Sequence, residues 1–593
     1  MKRRRDTTPG AVAERPARAP GRRGAAALAR WVTSPGALWI AVVLAAYAAL
    51  EYHFVFRMPF VADDYTILDK VGRSSFASLW TADRPLWGWY RPWSRELYFW
   101  TLTRIFGVTE LPFHALSFVL WVAVLTAYYA FLRRIMGAAT AVVAAAGAAT
   151  MAAWGSTLSW AAGVQELWML LFALLFLHAM AGRRTVAALL ALAGALLSKE
   201  TAAVLPAIGF LYAVTIDRDG PRAALKRVAP QLAMVALWAA LHPFLRARVA
   251  THVAPAAGGS GALSPLRIAS YTGLSIVNLD HWPDPEIGWL GALLPALPGI
   301  AVLAAGTAWA LWRARAAGAD RASPDAQDAP AERAMLFGSG WAVLGALPLF
   351  TPGVGWLPYY ALLSALGGWV VLAAGLVRRP YFAVAALALF AALQPVHATT
   401  PAYEWASDWY QRRAAYFVGR LKHDLLRRHA ELPPHARLFF TRVPNGTGIG
   451  HPWFNPAFRV WYRDSTVTGD FYRQYAPRPP GEPQDRDYFF RCDDSAFVWV
   501  EVVKGEEDVA RERGANARWE DDHRDLAMLL GNAGDWRGAA GEVEKLARAF
   551  PADPQYPRNL SYCLGFLGDS LGMKRNLRIA DSLANVRRVA GKR

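Results

Sequence analysis

Long apolar runs separated by short polar connections fill the chain from about residue 36 to residue 396. A helix that crosses a bilayer needs roughly 20 mostly apolar residues, and somewhat shorter runs suffice in a packed bundle, so the pattern predicts about eleven spans. The expected fold class is a mainly α, polytopic membrane protein. The predicted spans cover residues 36–56, 112–132, 138–154, 161–181, 185–198, 200–216, 229–248, 287–312, 335–351, 356–377 and 380–396.

The basic residues of the connections predict the topology, because cytoplasmic loops are enriched in Lys and Arg. With the N-terminus inside, every basic connection falls on the cytoplasmic side and the C-terminus lies outside. This requires runs 185–198 and 200–216 to form a hairpin with Lys199 and Glu200 at the outer face, since one broken helix would place the basic loop 218–227 outside. The basic connections are the N-terminal tail, 133–134, 183–184, 218–227, 313–333 and 378–379.

Composition agrees with a membrane protein and narrows the function. The chain is 54% hydrophobic with 26 Trp, which is ordinary for a multi-span protein. The net charge of +18 resides largely in the tail and the short loops, and no nucleic-acid-binding motif accompanies it, so no nucleic acid partner is expected. Phosphate-loop, dinucleotide, His-Glu-x-x-His and Gly-x-Ser-x-Gly motifs are missing from the sequence, which disfavours ATP-driven transport, dehydrogenation and familiar hydrolysis.

Four regions are predicted. Residues 1–35 form a disordered basic cytoplasmic tail, and residues 36–400 form the membrane domain with a long outer loop at 57–111. After Ala402, an amphipathic stretch at 405–429 and β-type runs at 436–440 and 496–502, with turn residues at 444–448, predict a small extracytoplasmic α/β domain over 401–515. The remaining region, 516–593, is predicted to be helical.

The helical region contains an internal repeat. Leu530-Gly531 and Gly534-Asp535 recur 34 residues later as Leu564-Gly565 and Gly568-Asp569. Helix-turn-helix patterning with this period is typical of tetratricopeptide repeats. The chain has two cysteines, Cys492 and Cys563, which leave a disulfide open.

An acidic pair in the outer loop, Asp63-Asp64, is the first candidate for chemistry. An ionised Asp within hydrogen-bond reach of a hydroxyl or amine can take its proton as that group attacks an electrophile. The second acid could hold a metal or an acceptor, although a carboxylate pair alone is not a metal site. The alternative is that the pair caps a helix or solvates a loop.

Cationic and polar residues beside the predicted spans are the other candidates. Guanidinium groups bind phosphate bidentately, and Arg91 and Arg95 share a face if 90–96 is helical, the alternative being an interfacial helix with snorkelling arginines. Ionisable residues within a bilayer domain are functional candidates, although a buried ion pair is the alternative for Lys199 and Glu200. The full set is Tyr90, Arg91, Arg95, His114, Gln165, Glu166, Lys199 and Glu200, with His281 to Asp284 as a further candidate.

The order and sidedness of these motifs resemble the GT-C superfamily of membrane glycosyltransferases. The closer resemblance is to its protein O-mannosyltransferase-like branch with tetratricopeptide repeats, and to that branch's bacterial relatives. The resemblance rests on four motifs that occur within residues 36–220 in the same order as in the family. They are Asp63-Asp64, Tyr90-Arg91-Pro92, His114 and Ser198-Lys199-Glu200. The chain departs from the pattern at Gln165-Glu166, where many relatives have Arg-Asp, and its repeat array is shorter.

The resemblance implies an enzyme of the bacterial inner membrane, hexosyl- or mannosyltransferase-like. It would move a sugar from a polyprenyl-phosphate carrier to a glycan, lipid or protein acceptor on the outer face, inverting the anomeric carbon. Asp63 is the first choice for the base and Asp64 the second, and the residues of the preceding set from Tyr90 to Glu200 would bind the donor and its phosphate. The sequence identifies no certain cofactor, and a divalent metal is left open.

Two other classes of function stay open. The first is a flippase or transporter for polysaccharide or lipid, which internal inverted repeats would favour. The second is a catalytically silent membrane scaffold, which the departure at Gln165 favours and the intact Asp63-Asp64 disfavours.

Overall fold

A computed structural model describes most of the chain. The predicted basic tail, apart from Pro35, and the turn segment at 444–448 lie outside the described residues. The described residues are 35–81, 86, 89–243, 264–279, 288–316, 331–350, 356–396, 407–441, 443, 454–471, 474–475, 478–479, 481–493, 498–501, 519–532, 534–551 and 553–590.

The described chain forms two compact units. The first comprises Met1–Arg57, Phe76–Leu102 and Thr109–Trp409, and the second comprises Met58–Ser75, Thr103–Val108 and Tyr410–Arg593. The predicted outer loop is thus divided between the two units, while the domain boundaries predicted at 400 and 515 stay predictions.

Helices dominate both units. In chain order they are α1 (Pro35–Glu51), α2 (Asp63–Gly72), α3 (Tyr98–Phe106), α4 (Glu110–Met136), α5 (Ala138–Ala149), α6 (Trp154–Ser159), α7 (Val164–Ala181), α8 (Thr185–Leu196), α9 (Leu205–Thr215), α10 (Pro221–Leu241), α11 (Pro265–Ser275), α12 (Gly288–Leu293), α13 (Leu297–Ala316), α14 (Ala331–Ala346), α15 (Leu362–Leu376), α16 (Pro380–Leu393), α17 (Asp408–Arg428), α18 (Phe454–Tyr462), α19 (Trp519–Asn532), α20 (Trp536–Ala549), α21 (Gln555–Phe566) and α22 (Ser570–Ala590). Short 3₁₀ turns include Glu200–Val204 and Pro358–Ala361, and Pro92–Leu97 is a π-helical turn.

The first unit is a multi-pass membrane domain. Within the described residues, six helical stretches are long and apolar enough to cross a bilayer: Glu110–Met136, Ala161–Ala181, Pro221–Leu241, Gly288–Ala314, Ala331–Phe350 and Pro358–Leu376. Five shorter apolar helices accompany them: Gly36–Glu51, Ala138–Ala149, Thr185–Leu196, Glu200–Thr215 and Pro380–Leu393. Each predicted apolar run therefore contains a helix among its described residues, which confirms the fold class, and the number of spans stays a prediction.

Helices α8 and α9 form the predicted hairpin. Lys199 has an extended backbone (φ −162°, ψ 144°), which ends the helical geometry after α8. The chain then turns through Glu200–Val204 into α9, whose first turn contains Pro206. At the other end of the hairpin, Arg183 before α8 pairs at 2.7 Å with Asp219, which follows α9. Since the start of α8 meets the end of α9, the two helices run in opposite directions.

A four-stranded sheet lies in the second unit. Its strands are β1 (Arg437–Thr441), β2 (Thr468–Phe471), β3 (Asp487–Asp493) and β4 (Val498–Glu501). Their order across the sheet is β2-β1-β3-β4. The central strand β1 pairs in parallel with β2 and β3, with Leu438 opposite Gly469 and Tyr488, and β4 closes the sheet antiparallel to β3. The sequence predicted β1 and β4 but missed the other two, because Thr-Gly-Asp-Phe is short and poor in strand formers and β3 begins and ends with Asp.

Aromatic packing joins this sheet to its helices. The Phe440 ring stacks on Phe454 at 4.8 Å and on Phe490 at 5.3 Å, between helix α18 and strand β3. The amphipathic stretch predicted at 405–429 forms α17. Both cysteines are buried and no disulfide joins them, since Cys492 belongs to this core and Cys563 to the separate core of the C-terminal helices.

The C-terminal helices repeat their turn geometry at the predicted offset. In each turn an Asp carboxylate caps the next helix: Asp535 accepts from the Gly538 N–H and Asp569 from the Gly572 N–H, both at 2.9 Å. The glycine before each Asp has positive φ, 83° at Gly534 and 79° at Gly568. The two helix pairs, α19–α20 and α21–α22, are therefore structurally equivalent at their turns. Their assignment to the tetratricopeptide class stays a prediction.

Helices α14 and α15 of the membrane domain cross with their backbones in near contact. A Cβ atom on Gly367 of α15 would lie 2.4 Å from the Ala342 nitrogen and 2.8 Å from the Gly338 carbonyl oxygen of α14. The Ser364 hydroxyl donates to the Ala342 carbonyl at 2.7 Å in the same crossing. Small residues permit such approaches between membrane helices, where van der Waals packing drives association.

We predict that Gly367→Ala destabilises the membrane domain by about 1–3 kcal/mol, because the added methyl group overlaps backbone atoms that cannot move aside. Gly375→Ala, on the same helix, is the matched control, since no described atom lies within 4 Å of a Cβ built there. Thermal unfolding of the detergent-solubilised variants, followed by Trp fluorescence, measures the difference. Equal midpoints for the two variants would contradict the close crossing.

Candidate functional site

Two ion pairs lie side by side in the membrane domain. The Arg91 guanidinium donates from Nε to both carboxylate oxygens of Glu200 at 3.0 Å, and from Nη2 to Oε2 at 2.6 Å. The Lys199 ammonium donates to Oε2 of Glu166. Lys199 thus pairs with Glu166 and not with its neighbour Glu200, which the sequence left as one option. We refer to these four residues as the charge cluster.

Local geometry brings the charge cluster together. The extended Lys199 places consecutive side chains on opposite sides of the chain, so that Lys199 and Glu200 reach different partners. The π-helical turn Pro92–Leu97 holds Arg91 against them through two hydrogen bonds: the Trp93 N–H donates to the Leu197 carbonyl at 3.2 Å, and the Ser94 hydroxyl donates to the Ser198 carbonyl at 2.8 Å. The predicted Tyr-Arg-Pro and Ser-Lys-Glu motifs therefore meet in space.

Other side chains enclose the charge cluster. Arg91 Nη1 donates to Gln165 Oε1 at 2.9 Å, so the residue at which the family pattern fails contacts the arginine directly. The Lys199 ammonium lies 4.3 Å from the Tyr360 ring centroid and 4.8 Å from that of Tyr359, within cation–π range. His242 Nε2 lies 3.7 Å from Glu200 Oε1.

Sequence reasoning missed Tyr359, Tyr360 and His242. The available signals were a Tyr pair at the start of a predicted apolar run and a lone His within another. Aromatic residues with one polar end are common at membrane interfaces. Attention to charged residues alone overlooks such positions.

The two ion pairs differ in accessibility. The side chains of Arg91 and Glu200 are 16% and 17% exposed, whereas those of Lys199 and Glu166 are 4% and 2% exposed. Of the five guanidinium N–H groups of Arg91, three donate to Glu200 and Gln165. Two remain without a partner among the described residues, and these can donate to a phosphate oxygen.

The charge cluster and the basic loops lie at opposite ends of helix α7. Glu166 occupies its first turn, while near its last turn the Met180 carbonyl accepts from Arg227 and the Ala181 carbonyl from Arg134. Fourteen residues separate Glu166 from Met180, or about 21 Å at the helical rise of 1.5 Å per residue. The two sets of charged residues are therefore at opposite ends of the helix, and which end faces outward stays a prediction.

Three other predicted site residues make local contacts. Arg95 is almost fully buried and donates to Glu96 and to the Leu86 and Trp89 carbonyls, at 2.5–3.3 Å, which braces the loop that carries Arg91. The Tyr90 hydroxyl donates to the Trp80 carbonyl at 2.8 Å, and burial raises the pKa of Tyr90.

His114, the third of these residues, lies buried in α4. Its Nδ1 is 3.1 Å from the Leu158 carbonyl oxygen, a position in which an N–H donates. The geometry gives Arg95, Tyr90 and His114 contacts that position the surrounding chain, and their binding roles stay predictions.

The acidic pair begins helix α2 in the second unit. The Asp64 carboxylate is fully buried and accepts the Val61 N–H at 3.0 Å, while Asp63 is partly exposed. Ala62, before the pair, has a strained positive φ of 45°. Of the two acids, Asp63 is the more exposed, and its role as a base stays a prediction.

Helix α2 packs on helix α18 of the α/β domain. The Tyr65 and Trp461 rings meet edge to face at 5.5 Å, and Arg459 reaches Asp69 at 3.5 Å. Burial raises the pKa of Asp69, and the charges of Arg73 and Arg459 oppose that rise. The acidic pair is therefore carried on a helix that has its own tertiary support.

Among the described residues, no group of three or more His, Cys, Asp or Glu side chains is placed to hold an ion. A divalent metal, which the sequence leaves open, therefore has no identified set of protein ligands in this part of the chain. His281 to Asp284 lie outside the described residues.

Comparisons with known proteins give similarity to solved structures but no match to a protein family. No protein-family model matches the sequence, and no curated protein matches it. The chain is similar to ArnT from Cupriavidus metallidurans bound to undecaprenyl phosphate, with a TM-score of 0.38, 15% identity, and coverage of 77% of this chain and 93% of that one. For ArnT in the apo state the TM-score is 0.33 with 16% identity, covering 74% and 86%. Both TM-scores are below 0.5, so neither structure decides the function.

We predict that Glu166→Gln destabilises the membrane domain by about 3–5 kcal/mol, because it leaves the buried Lys199 ammonium without a counter-charge. The double variant Glu166→Gln/Lys199→Gln should recover most of that loss. Asp581→Asn, which breaks an exposed ion pair with Arg558, is the control and should cost less than about 1 kcal/mol. Chemical denaturation in mixed micelles measures the three values. A single variant as stable as the control would contradict the pairing.

Proposed function

We propose that this protein is a membrane glycosyltransferase of GT-C type that transfers a sugar from a polyprenyl-phosphate carrier to an acceptor on the outer face of the bacterial inner membrane. The observation that supports the proposal most is Arg91, a cation held at one end of the helical bundle, two of whose guanidinium N–H groups have no partner among the described residues. The contact between the Tyr-Arg-Pro and Ser-Lys-Glu motifs, which the resemblance treats as parts of one site, also supports it.

The chemistry places a specific demand on such a cation. An acceptor oxygen attacks the anomeric carbon, the bond from that carbon to the phosphate oxygen breaks, and the acceptor proton passes to a base. The phosphate diester, with one negative charge, becomes a monoester that develops a second. A fixed guanidinium stabilises that developing charge more than the ground state, and only such differential stabilisation speeds the chemical step.

Glu200 and Gln165 have a positioning role in this proposal. They hold the Arg91 guanidinium in one orientation before the donor arrives, which reduces the reorganisation needed in the transition state. Lys199 and Glu166 are nearly inaccessible to solvent, and in this proposal they stabilise the surrounding fold. Gln165, standing where relatives have an arginine, leaves one cation fewer and still serves as a hydrogen-bond acceptor.

Asp63 is the proposed base. Asp63 is partly exposed, whereas Asp64 is fully buried and accepts a backbone N–H. A positioned general base contributes typically about 100-fold or more to a rate. The sugar, including whether the donor is mannosyl-type, and the class of acceptor are to be determined by assay.

We predict that Asp63→Asn lowers sugar transfer by about 100-fold or more, because the amide cannot take the acceptor proton. Membranes from cells that make wild type, Asp63→Asn or Asp485→Asn would be supplied with radiolabelled polyprenyl-phosphate sugars. Asp485→Asn is the control, since it removes one exposed carboxylate of the same unit.

Label should reach a new product with wild type and with the control, and not with Asp63→Asn. If all three proteins transfer equal amounts of label, Asp63 is not the base. Asp64 then becomes the candidate, which Asp64→Asn tests. No transfer from any donor by stably inserted wild type would contradict the enzymatic proposal and favour a transporter or a scaffold.

A further inference from the structure

His242 is a buried histidine whose ring nitrogens are unsatisfied. It follows the last residue of α10, and its backbone N–H donates to the Trp238 carbonyl at 2.9 Å, which extends the helical hydrogen bonding by one residue. Pro243 comes next, and a residue before proline favours an extended backbone, in agreement with the ψ of 122° at His242. The side chain is inaccessible to solvent, and neither Nδ1 nor Nε2 has a hydrogen-bond partner among the described residues.

This arrangement is unfavourable for the free protein. A buried imidazole nitrogen loses its hydrogen bonds to water, and at His242 no described group replaces them. A phenylalanine ring of similar shape would fill the same space without that loss. Positions that depart from stable packing in this way are expected at functional sites, so the surroundings of His242 indicate what its nitrogens could bind.

The nearest charged group is Glu200 of the charge cluster. Its Oε1 accepts from Arg91 Nε at 3.0 Å and lies 3.7 Å from His242 Nε2, just beyond hydrogen-bond distance. The Trp89 ring contacts both neighbours, since its centroid is 5.4 Å from Arg91 Cζ and 6.4 Å from that of the His242 ring, which it meets edge to face. The Trp238 ring lies 4.9 Å from the imidazole. The two indole rings therefore pack His242 close to Glu200 without a hydrogen bond between them.

Binding of a donor phosphate would change the environment of Glu200. A phosphate that accepts N–H groups of Arg91 is a second anion beside one guanidinium, so it competes with the Glu200 carboxylate and repels it. Lys199 already donates to Glu166. A further hydrogen-bond donor to Glu200 would offset the repulsion, and a movement of about 1 Å brings His242 Nε2 within hydrogen-bond distance of Oε1.

We propose that His242 is a positioning residue for donor binding, whose Nε2–H closes on Glu200 when the donor phosphate binds Arg91. The inference rests on the proposed role of Arg91 as the phosphate ligand. A carboxylate partner favours the imidazole tautomer with its hydrogen on Nε2. The new hydrogen bond holds the Glu200 carboxylate in place, so that the guanidinium keeps its orientation while two anions share it. Because Nε2 gains a partner only in the complex, this pairing contributes to donor affinity and not to the stability of the free protein.

The test compares ligand affinity with stability for the purified full-length protein in detergent. His242→Phe keeps the ring and removes both nitrogens, whereas His242→Gln retains an N–H group that can reach Glu200. His178→Phe is the matched control, because His178 lies in the last turn of α7, at the opposite end from the charge cluster, with Nε2 3.1 Å from the Ala127 carbonyl oxygen. Farnesyl phosphate and the phosphate-free farnesol are the probes. Thermal unfolding followed by Trp fluorescence measures stability.

His242→Phe should bind farnesyl phosphate about tenfold or more weakly than wild type, because a hydrogen bond to a charged group is lost from the complex. Its affinity for farnesol should be unchanged. Its unfolding midpoint should equal or exceed that of wild type, since no described hydrogen bond of the ring is lost from the free protein. His242→Gln should recover most of the affinity. His178→Phe should show the reverse pattern, a lower midpoint with unchanged affinity for farnesyl phosphate.

Wild-type affinity for farnesyl phosphate in His242→Phe would overturn the role of His242 and leave Arg91 as the phosphate ligand. A loss of affinity that accompanies a lower unfolding midpoint, and that His242→Gln does not recover, would also overturn it, because the residue would then only support the fold. If wild type does not prefer farnesyl phosphate to farnesol, the proposed donor site fails and the role of His242 fails with it.

Discussion

The membrane domain depends on the mutual neutralisation of four charges inside an apolar bundle. Arg91, Glu166, Lys199 and Glu200 form two pairs, and any one of them left alone in a low-dielectric interior would cost several kcal/mol. Because the partners come from a loop, from α7 and from the α8–α9 hairpin, the pairs also fix the relative positions of these elements. Stability and the orientation of Arg91 thus have the same physical origin.

The same constraint divides the two pairs by role. Lys199 and Glu166 are nearly inaccessible to solvent, so we assign them a structural role in the proposal. A pair with an open edge can exchange part of its hydration for a ligand, and Arg91 retains N–H groups for that purpose among the described contacts. The bundle therefore holds the Arg91 guanidinium, which we propose as the phosphate ligand, in one orientation and opposite a counter-charge.

Much of the fold could be predicted from the sequence, because each membrane helix requires an apolar surface and this is visible in the helix's own sequence. Each apolar run became a helix, and the hairpin at Lys199 followed from charge sidedness. Strand β2 was missed because its sequence is short and poor in strand formers, and β3 because an Asp stands at each end of it.

For the site, residue types were predictable and partners were not. Arg91 and Glu200 are 109 positions apart, and their contact depends on the tertiary arrangement of several helices. Tyr359 and His242 went unnoticed for the same reason, since neither has a local pattern that marks it as a neighbour of the charges.

The most direct test of the central claim is the affinity of the purified protein for a short polyprenyl phosphate, farnesyl phosphate, with farnesol as the phosphate-free match. Arg91→Lys keeps the charge opposite Glu200 but loses the planar fork of donors. We predict that it weakens binding of farnesyl phosphate about tenfold or more while binding of farnesol is unchanged, because a charged hydrogen bond is worth about 1.5–3 kcal/mol. Equal affinities for farnesyl phosphate in wild type and Arg91→Lys would contradict the assignment of Arg91 as the phosphate ligand.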